Sequence, residues 1–436
     1  MTKKNLTGQN LYKKAKTLIP GGTMLLSKRP EMFLPENWPA YYSKAKGCTV
    51  WDLDHRKYTD MIMGIGPSAL GYANKEVDQA VSEAILDGNM STFNCPEEVY
   101  LAERLVELHQ WADMVRFART GGEANAIAIR IARAASQKDN IAVCGYHGWH
   151  DWYLSVNIGT NGLDQHLIPG LDPVGVPKNL SGSSFPFEYN NFDQLAKLVD
   201  EKNIGVIKME VQRNEPPKDN FLVKVRELAT QKNIVLIFDE CSSGFRETFG
   251  GLHKKFGVNP DMAMFGKTMG NGYAVTAVIG IKDVMEHAQR TFISSTFWTE
   301  KIGSVAALKT IEVMEDLQSW DILTAYGRNI RDSIKELAKH HDLKVDFFGI
   351  DPLPSFAFDT PNNLLYKTFM TQEMLKKGFL ASNIFYVSIE HTPEIIKKFL
   401  DALDPIFKII KECEYGLDTF PLLDGPVCHS SFSRLN

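Results

Sequence analysis

The sequence has no apolar run long enough to cross a membrane, few cysteines for its length and no excess of basic charge. A membrane-spanning helix needs about 20 consecutive apolar residues, whereas the longest apolar runs here have only the length of a strand. The first residues are polar, so we expect no signal peptide. The six cysteines show no CxxC spacing, which predicts reduced thiols rather than a disulfide framework. We therefore expect a cytoplasmic protein that does not enter membranes.

Charge and composition argue against a further class of protein. The net charge is -5, so there is no basic excess to neutralise the phosphates of a nucleic acid. The hydrophobic share of 44% and the charged share of 23% are those of an ordinary soluble globular protein. A chain of 436 residues can form two or three domain-sized cores. We expect small molecules, and no nucleic acid, as its ligands.

Short apolar stretches alternate with helical segments between Met114 and about Ser295. This alternation predicts an α/β fold in which helices cover both faces of a mostly parallel central sheet. The predicted strands cover residues 114–117, 141–143, 206–209, 234–238, 262–265 and 277–281.

Both ends of the chain differ from this central part. A hairpin is predicted over residues 49–61, and helices mixed with short strands follow residue 341. Such a mixture is typical of a smaller α+β domain. The predicted domains are an N-terminal segment (1–59) that packs with the small domain, a large domain (60–303), and a linking helix with the C-terminal small domain (304–436).

Lys267 and Asp239 are the first candidates for chemistry. Asp239 ends the apolar stretch 234–238, and Gly266-Lys267 ends the stretch 262–265. A lysine amine can form a Schiff base with an aldehyde cofactor, and a carboxylate can keep the cofactor's pyridine nitrogen protonated. This pair at consecutive strand ends predicts a pyridoxal 5'-phosphate (PLP) enzyme. The alternatives are a loop lysine and an aspartate that merely closes a strand; the flanking glycine and the buried run favour the functional interpretation.

A second candidate site is the Gly-Gly turn that follows the predicted strand 114–117. Thr120, Gly121 and Gly122 precede a helix rich in small residues. The free amides and the positive end of the helix dipole favour a phosphate group at such a helix start. The alternative is a plain turn without a ligand.

Aromatic and imidazole side chains follow the predicted strand 141–143. Tyr146 can stack on a planar ring at the carboxyl edge of the sheet, where ligands of open α/β sheets bind. The alternatives are simple packing and a metal site formed by His147 and His150. No third ligand is close to this histidine pair in the sequence, so we predict no metal site.

These motifs resemble those of the class III PLP-dependent aminotransferases, a branch of fold type I, and within it glutamate-1-semialdehyde 2,1-aminomutase-like proteins. The resemblance extends over about residues 15–400. The motifs that carry it are Pro20-Gly21-Gly22, Gly66-Pro67, Arg116-Phe117, Gly121 to Asn125, Tyr146-His147-Gly148, Phe238-Asp239-Glu240, Gly244-Phe245-Arg246, Gly250-Gly251, Phe256-Gly257-Val258, Pro260-Asp261 and Gly266-Lys267.

The resemblance implies a role for each matching residue. Lys267 would hold the cofactor and move the proton at the substrate carbon, and Asp239 would pair with the pyridine nitrogen. Thr296 would reach the phosphate of the partner subunit's site, which implies a homodimer. The other implied cofactor contacts are Thr120, Gly121 and Gly122 at the phosphate, Tyr146 and Cys241 on the two ring faces, and His147 and Glu210 beside them.

Several positions depart from the aminomutase pattern. Lys28, beside Arg29, stands where the aminomutase has a substrate-binding arginine, and Ile65 replaces a tryptophan. Trp149 and Trp298 would help to shape the substrate pocket. The resulting hypothesis is an aminotransferase that moves an amino group from an amine donor to a keto or aldehyde acceptor. The alternatives are an aminomutase, a PLP-dependent lyase or epimerase, and an inactive scaffold.

Overall fold

The computed structural model describes residues 6–164, 166, 169–417, 422–432 and 435. These residues form two compact units, one from residue 75 to residue 321 and the other from the described residues on either side of it. The strands are β1 (Tyr42–Lys46), β2 (Thr49–Asp52), β3 (Lys57–Asp60), β4 (Met114–Ala118), β5 (Asn140–Cys144), β6 (Ser184–Pro186), β7 (Ile204–Glu210), β8 (Val235–Asp239), β9 (Met262–Phe265), β10 (Thr276–Gly280), β11 (Val345–Phe348), β12 (Ser355–Phe358) and β13 (Phe379–Leu380).

Helices connect and cover these strands. They are α1 (Thr7–Leu18), α2 (Lys75–Leu86), α3 (Glu97–Leu108), α4 (Gly121–Ser136), α5 (Asp151–Leu154), α6 (Phe192–Glu201), α7 (Phe221–Gln231), α8 (His253–Phe256), α9 (Lys282–Met285), α10 (Lys301–Leu317), α11 (Ser319–His340), α12 (Asn363–Lys376) and α13 (Pro393–Glu414). No helix in the described ranges is long and apolar enough to cross a membrane.

The larger unit is built on a seven-stranded sheet in the order β4-β10-β9-β8-β7-β5-β6. The neighbours from β9 through β6 pair in parallel, whereas β10 runs antiparallel to both β4 and β9. The predicted α/β fold with a mostly parallel sheet is confirmed. The predicted strand 277–281 is present as β10, but it is the reversed member of the sheet.

One face of this sheet packs against α4. Residues two apart on a strand share a face, and Val235 and Ile237 of β8 pack with Ile127, Ala128 and Ile131 of α4. Every residue of β8 is buried. The same row on β8 ends at Asp239, so the carboxylate emerges from an apolar interior at the carboxyl edge of the sheet.

The smaller unit contains both ends of the described chain. Its four-stranded sheet has the order β1-β2-β3-β13, and β11 pairs with β12 in a separate hairpin. The segment after β3 groups with this unit because Met61 O accepts from Tyr386 N at 3.1 Å and Ala69 O accepts from Ile389 N at 2.9 Å. The units divide at 74/75 and 321/322, whereas the predicted divisions are at 59/60 and 303/304.

The last described residues are anchored within this smaller unit. Cys428 N donates to Thr368 Oγ1 at 3.0 Å, and His429 N donates to Glu31 O at 2.8 Å. The Arg29 guanidinium lies over the Phe432 ring, 5.5 Å from its centroid. These contacts fix the segment Cys428–Phe432 beside α12 and the Arg29–Glu31 turn, a role that its sequence did not indicate.

Candidate active site

Asp239 is the centre of a buried polar cluster at the carboxyl edge of the larger sheet. Its Oδ2 accepts from His147 Nδ1 at 2.9 Å and lies 3.5 Å from Lys208 Nζ, and its Oδ1 accepts from Cys241 N at 3.1 Å. Burial raises the pKa of Asp239, but the Lys208 cation and the hydrogen bond from His147 outweigh it and hold this pKa well below its ordinary value. Asp239 is therefore an anion inside an apolar interior.

His147 is fixed between two oxygen atoms. Its Nδ1 faces Asp239, and its Nε2 lies 3.1 Å from Cys144 O. Burial and the nearby Lys208 cation lower the pKa of His147, while the bond to Asp239 raises it in part. Both oxygen atoms are acceptors, so the neutral ring can donate to only one of them, and a proton on Nδ1 serves the ionised Asp239. His147 thus orients the carboxylate.

Lys267 lies at the same edge, directly after β9. Its Nζ donates to the hydroxyl of Ser242, three residues after Asp239. Its backbone is left-handed, with a φ of 46°. Burial lowers the pKa of Lys267, and the Arg213 and Arg246 cations lower it further. Both effects increase the fraction of free amine, which is the nucleophilic form.

Cys241 occupies the space between these groups and the start of α4. A side chain built at Gly121 would place its Cβ 3.9 Å from Cys241 Sγ, and one at Gly266 would place it at 3.6 Å. Burial raises the pKa of the Cys241 thiol strongly. The thiol therefore stays neutral and presents an apolar surface.

The start of α4 has the geometry of an anion site. Thr120 is its N-cap in a capping box with Glu123. A Cβ at Gly122 would lie only 2.8 Å from His150 Cε1, so the loop over the helix start leaves no room for a side chain. Within the described chain, the buried Nδ1 of His150 has no hydrogen-bond partner. The free amides of Gly121 and Gly122, with this nitrogen beside them, can bind a phosphate.

A cavity of about 220 Å³ opens beside this edge. Glu210 lines it, accepting from Tyr146 N at 3.0 Å and pairing with Arg213 Nη1 at 2.7 Å. The opposite walls include His166, Glu188 and Tyr189. The cavity is thus lined by one guanidinium group and several carboxylates, and it lies next to Tyr146.

The remaining predicted site residues lie in three places. Trp298 is held at the first turn of α4, where its Nε1 donates to Glu123 Oε1 at 3.1 Å. Thr296 begins an exposed 3-10 turn, and Trp149 is largely exposed and stacks on His150. Lys28, Arg29 and Ile65 belong to the smaller unit, where Lys28 ends the 3-10 turn Leu26–Lys28.

Sequence reasoning missed two functional candidates in the larger unit. Lys208 stands within an apolar strand, and its importance is visible only through its contact with Asp239, two residues beyond its directly paired neighbour Ile237 on β8. Arg213 follows Glu210 by three residues, and an arginine near a glutamate is too common to be a signal by itself. In the described part of the chain, no group of three or more histidine, cysteine or acidic side chains could hold a metal ion.

These residues fit one kind of cofactor. A desolvated amine, a buried anion and a helix start with an unpartnered imidazole nitrogen match the aldehyde, the pyridine nitrogen and the phosphate of PLP, respectively. The site and the sheet therefore define a PLP-dependent enzyme of fold type I.

Comparison with known proteins narrows this class. The family described as aminotransferase class-III matches residues 35–350. The 3-aminobutyryl-CoA aminotransferase of Cloacimonas acidaminovorans is 34% identical, covering 90% of this chain and 95% of that protein. The glutamate-1-semialdehyde 2,1-aminomutase of Methanocaldococcus jannaschii is 30% identical, covering 92% and 97%, respectively.

A solved structure has the same fold. The PLP internal aldimine form of the FumI protein of Sphingopyxis sp. MTA144 superposes with a TM-score of 0.85 at 23% identity, covering 95% of this chain and 99% of that one. The chain belongs to the class III aminotransferases. The family predicted from the sequence motifs is thereby confirmed. The predicted cofactor, PLP, and the predicted enzyme class, a PLP-dependent aminotransferase, are confirmed with it.

Proposed function

We propose that this aminotransferase uses Lys267 and Asp239 as its central pair and moves an amino group from a small-molecule amine to a keto or aldehyde acceptor. The observation that carries the proposal is their placement at the carboxyl ends of β9 and β8, which pair in parallel with Asp239 opposite Met264. Lys267 follows Met264 by three residues and donates to Ser242. Amine and carboxylate therefore face one edge.

Each residue has a defined task in this proposal. When bound, PLP supplies an aldehyde that captures an amine and a ring that accepts the electron pair released at the substrate carbon. Asp239 accepts a hydrogen bond from the protonated ring nitrogen. Lys267 removes and returns the proton at the substrate carbon, which is general acid–base catalysis.

The groups around the pair bind and orient the cofactor. The first-turn amides of Gly121 and Gly122, with Thr120, hold the phosphate. The thiol of Cys241 and the ring of Tyr146 limit the two faces of the planar ring, while His147 fixes Asp239. The carboxylate of Glu210 accepts a hydrogen bond from the backbone amide of Tyr146 and so holds this residue in place. Trp149 and Trp298 line the substrate side.

The test of the central pair is spectroscopic. Purified protein should absorb at roughly 410–430 nm, the range expected of this cofactor bound to a lysine. Lys267→Ala should lose both this band and turnover. Lys255→Ala is the matched control, because Lys255 is a surface lysine paired with Glu247, and it should retain both. A protein that remains colourless after incubation with PLP would contradict the proposal.

A second function on the same site is an aminomutase, favoured by the 30% identity to a glutamate-1-semialdehyde 2,1-aminomutase. A lyase or an epimerase would use the same groups. Single-turnover product analysis separates these reactions. A transaminase leaves a keto product and the amine form of the cofactor, whereas a lyase releases ammonia and an aminomutase returns an isomer of its substrate.

We also propose a homodimer in which Thr296 contributes to the partner's site. Phe297, the next residue after Thr296, is strongly exposed, and so are Phe292, Phe93 and Leu86 of the same unit. Exposed apolar surface of this kind is typical of an interface. Sedimentation of the pure protein should give twice the chain mass.

Shared sites make a sharper prediction for mixed dimers. Lys267→Ala and Thr296→Ala proteins, each impaired alone, should regain activity when co-expressed, because a heterodimer has one site with both residues intact; random pairing restores about a quarter of the sites. Thr299→Ala replaces Thr296→Ala as the control. A monomer, or mixtures without any gain, would contradict the shared site.

The location that we propose is the cytoplasm. Cys48, Cys95, Cys144, Cys241 and Cys428 are free thiols, and Cys48, Cys144 and Cys428 are buried. Free thiols in this number are typical of proteins from a reducing compartment. Fractionation of cells that express the protein tests this proposal.

A further inference from the structure

Lys208 is a lysine in the interior of the larger unit. Its side chain is fully buried on β7, and its neighbours across the sheet are Val143 of β5 and Ile237 of β8. A strand buried on both faces ordinarily has an apolar residue at such a position. A buried ammonium group is strongly unfavourable unless a charged partner compensates for its lost hydration.

Asp239 is that partner. Lys208 Nζ lies 3.5 Å from Asp239 Oδ2 and 3.0 Å from Met264 Sδ, which is only a weak acceptor. Burial lowers the pKa of Lys208, and Asp239 raises it in part. The cation therefore depends on this carboxylate, and the carboxylate depends on the cation.

The acceptor sites of Asp239 can be counted. A carboxylate has about four lone-pair positions. Oδ2 serves His147 and Lys208, while Oδ1 accepts from Cys241 N. The Cys241 thiol is a further donor to this carboxylate. In the proposed function the ring nitrogen of the cofactor also donates to Asp239, so Lys208 and the cofactor would share one carboxylate.

We propose that Lys208 is a positioning residue that keeps Asp239 ionised and thereby keeps the shared proton on the ring nitrogen. The proposal rests on the proposed function, in which Asp239 binds that nitrogen. A cation in contact with the carboxylate stabilises its charged form. The same cation would disfavour a positive charge on the ring nitrogen less strongly, because the carboxylate would stand between the two charges. The net effect of the Lys208 cation would be to favour the proton on the ring nitrogen over the proton on the Asp239 carboxylate.

The experiment reads the proton directly. PLP labelled with ¹⁵N in its ring is bound to the enzyme, and the NMR chemical shift of the nitrogen reports its protonation. The wild-type enzyme should show a protonated ring nitrogen. Lys208→Met keeps the length of the side chain but removes its charge, and it should shift the signal toward the unprotonated form. Lys208→Arg should restore the wild-type shift.

Ile237→Met is the matched control. It introduces the same methionine on the same face of the sheet beside Lys208, and it removes no charge. Its signal should equal that of the wild type. An unchanged signal in Lys208→Met with the cofactor bound would overturn the role of Lys208. A wild-type protein that binds no PLP would instead overturn the proposed function, so the two failures are distinguishable.

A second measurement uses the cofactor-free protein. Lys208→Met and Asp239→Asn should each lower the thermal midpoint, because each leaves one buried charge without its partner. The double variant should lose clearly less than the sum of the two, since neither charge remains. Additive losses would mean that Lys208 acts through packing alone, and the proposal would be wrong.

Discussion

Asp239 and Glu240 are adjacent carboxylates at the end of β8, yet their surroundings differ. Glu240 accepts four hydrogen bonds: Oε1 from His253 N and Nδ1 at 2.9 and 2.7 Å, and Oε2 from Leu252 N and Ser243 Oγ at 2.8 and 2.7 Å. Asp239 instead has the Lys208 ammonium group 3.5 Å from its Oδ2. All four donors to Glu240 belong to the segment 243–253 that follows it, whereas Asp239 is held ionised by a cation from another strand.

The histidine rings near Glu240 differ from the partners of Asp239 in their charge. Trp111 Nε1 can only donate, and it donates to His253 Nε2 at 2.9 Å. His253 therefore carries its proton on Nδ1 and is neutral. His109 Nε2 accepts from Gly251 N at 3.0 Å. The side-chain partners around Glu240 are therefore neutral, whereas Asp239 has a lysine among its partners.

The largest expected effect is on activity, from Asp239→Asn. A neutral amide cannot hold the proton on the ring nitrogen, so kcat should fall about 10³-fold, equivalent to ~4 kcal/mol. Steady-state kinetics with saturating PLP measure it, and thermal midpoints of the same samples distinguish lost chemistry from unfolding. Asp283→Asn, at an exposed position on α9, is the control. A fall of less than about tenfold would contradict the assignment.

Glu240→Gln should act on stability instead. The amide nitrogen of glutamine would face two of the four donors, so the free energy of unfolding should fall by roughly 3–5 kcal/mol. Urea unfolding measures the change. Activity of the folded fraction should fall far less than in Asp239→Asn. Equal stability of variant and wild type would show that Glu240 does not stabilise its loop.

Acid should weaken the region around Glu240 through His109. Burial lowers the pKa of His109 from 6.5 to about 4. Between these values the unfolded chain binds more protons, so stability rises with pH, and it is lost as pH falls from 6.5 toward 4. This group contributes a slope of up to ~1.4 kcal/mol per pH unit. Urea unfolding of His109→Gln should show a flatter slope; an identical slope would contradict the buried neutral ring.

Trp111→Phe should have the smallest effect. It removes the indole donor and leaves His253 Nε2 buried without that bond, which should cost ~1–2 kcal/mol of stability. Urea midpoints measure the loss. Trp320→Phe is a matched control, because Trp320 stacks on Phe249 through its ring alone. Similar losses in both variants would indicate that packing, rather than the hydrogen bond, accounts for the effect.

Much of the sheet could be predicted because its strands are short, apolar and separated by helical patterns. Residues 262–265 form β9 as predicted, and β8 is shifted by one residue. The strand β6 was missed, since three residues ending in Pro186 give too short a signal. The reversal of β10 was also missed, because direction depends on pairing and not on composition.

The candidate site was predictable where a residue type has few uses at a strand end. Lys267, Asp239 and the Gly121-Gly122 turn lie at one edge of the sheet, as their order along the chain suggested. Lys208 could not be found in this way. Its sequence neighbours are apolar, and only the pairing of β7 with β8 brings it to Asp239.

The reversal of β10 has a mechanical consequence for Lys267. The lysine lies on residues 266–275, which join β9 directly to its hydrogen-bonded neighbour β10. Both ends of this connection are therefore held by the hydrogen bonds of two neighbouring inner strands, β9 and β10. The backbone of Lys267 is thereby tied to the sheet, and its amine moves through rotations of its own side chain.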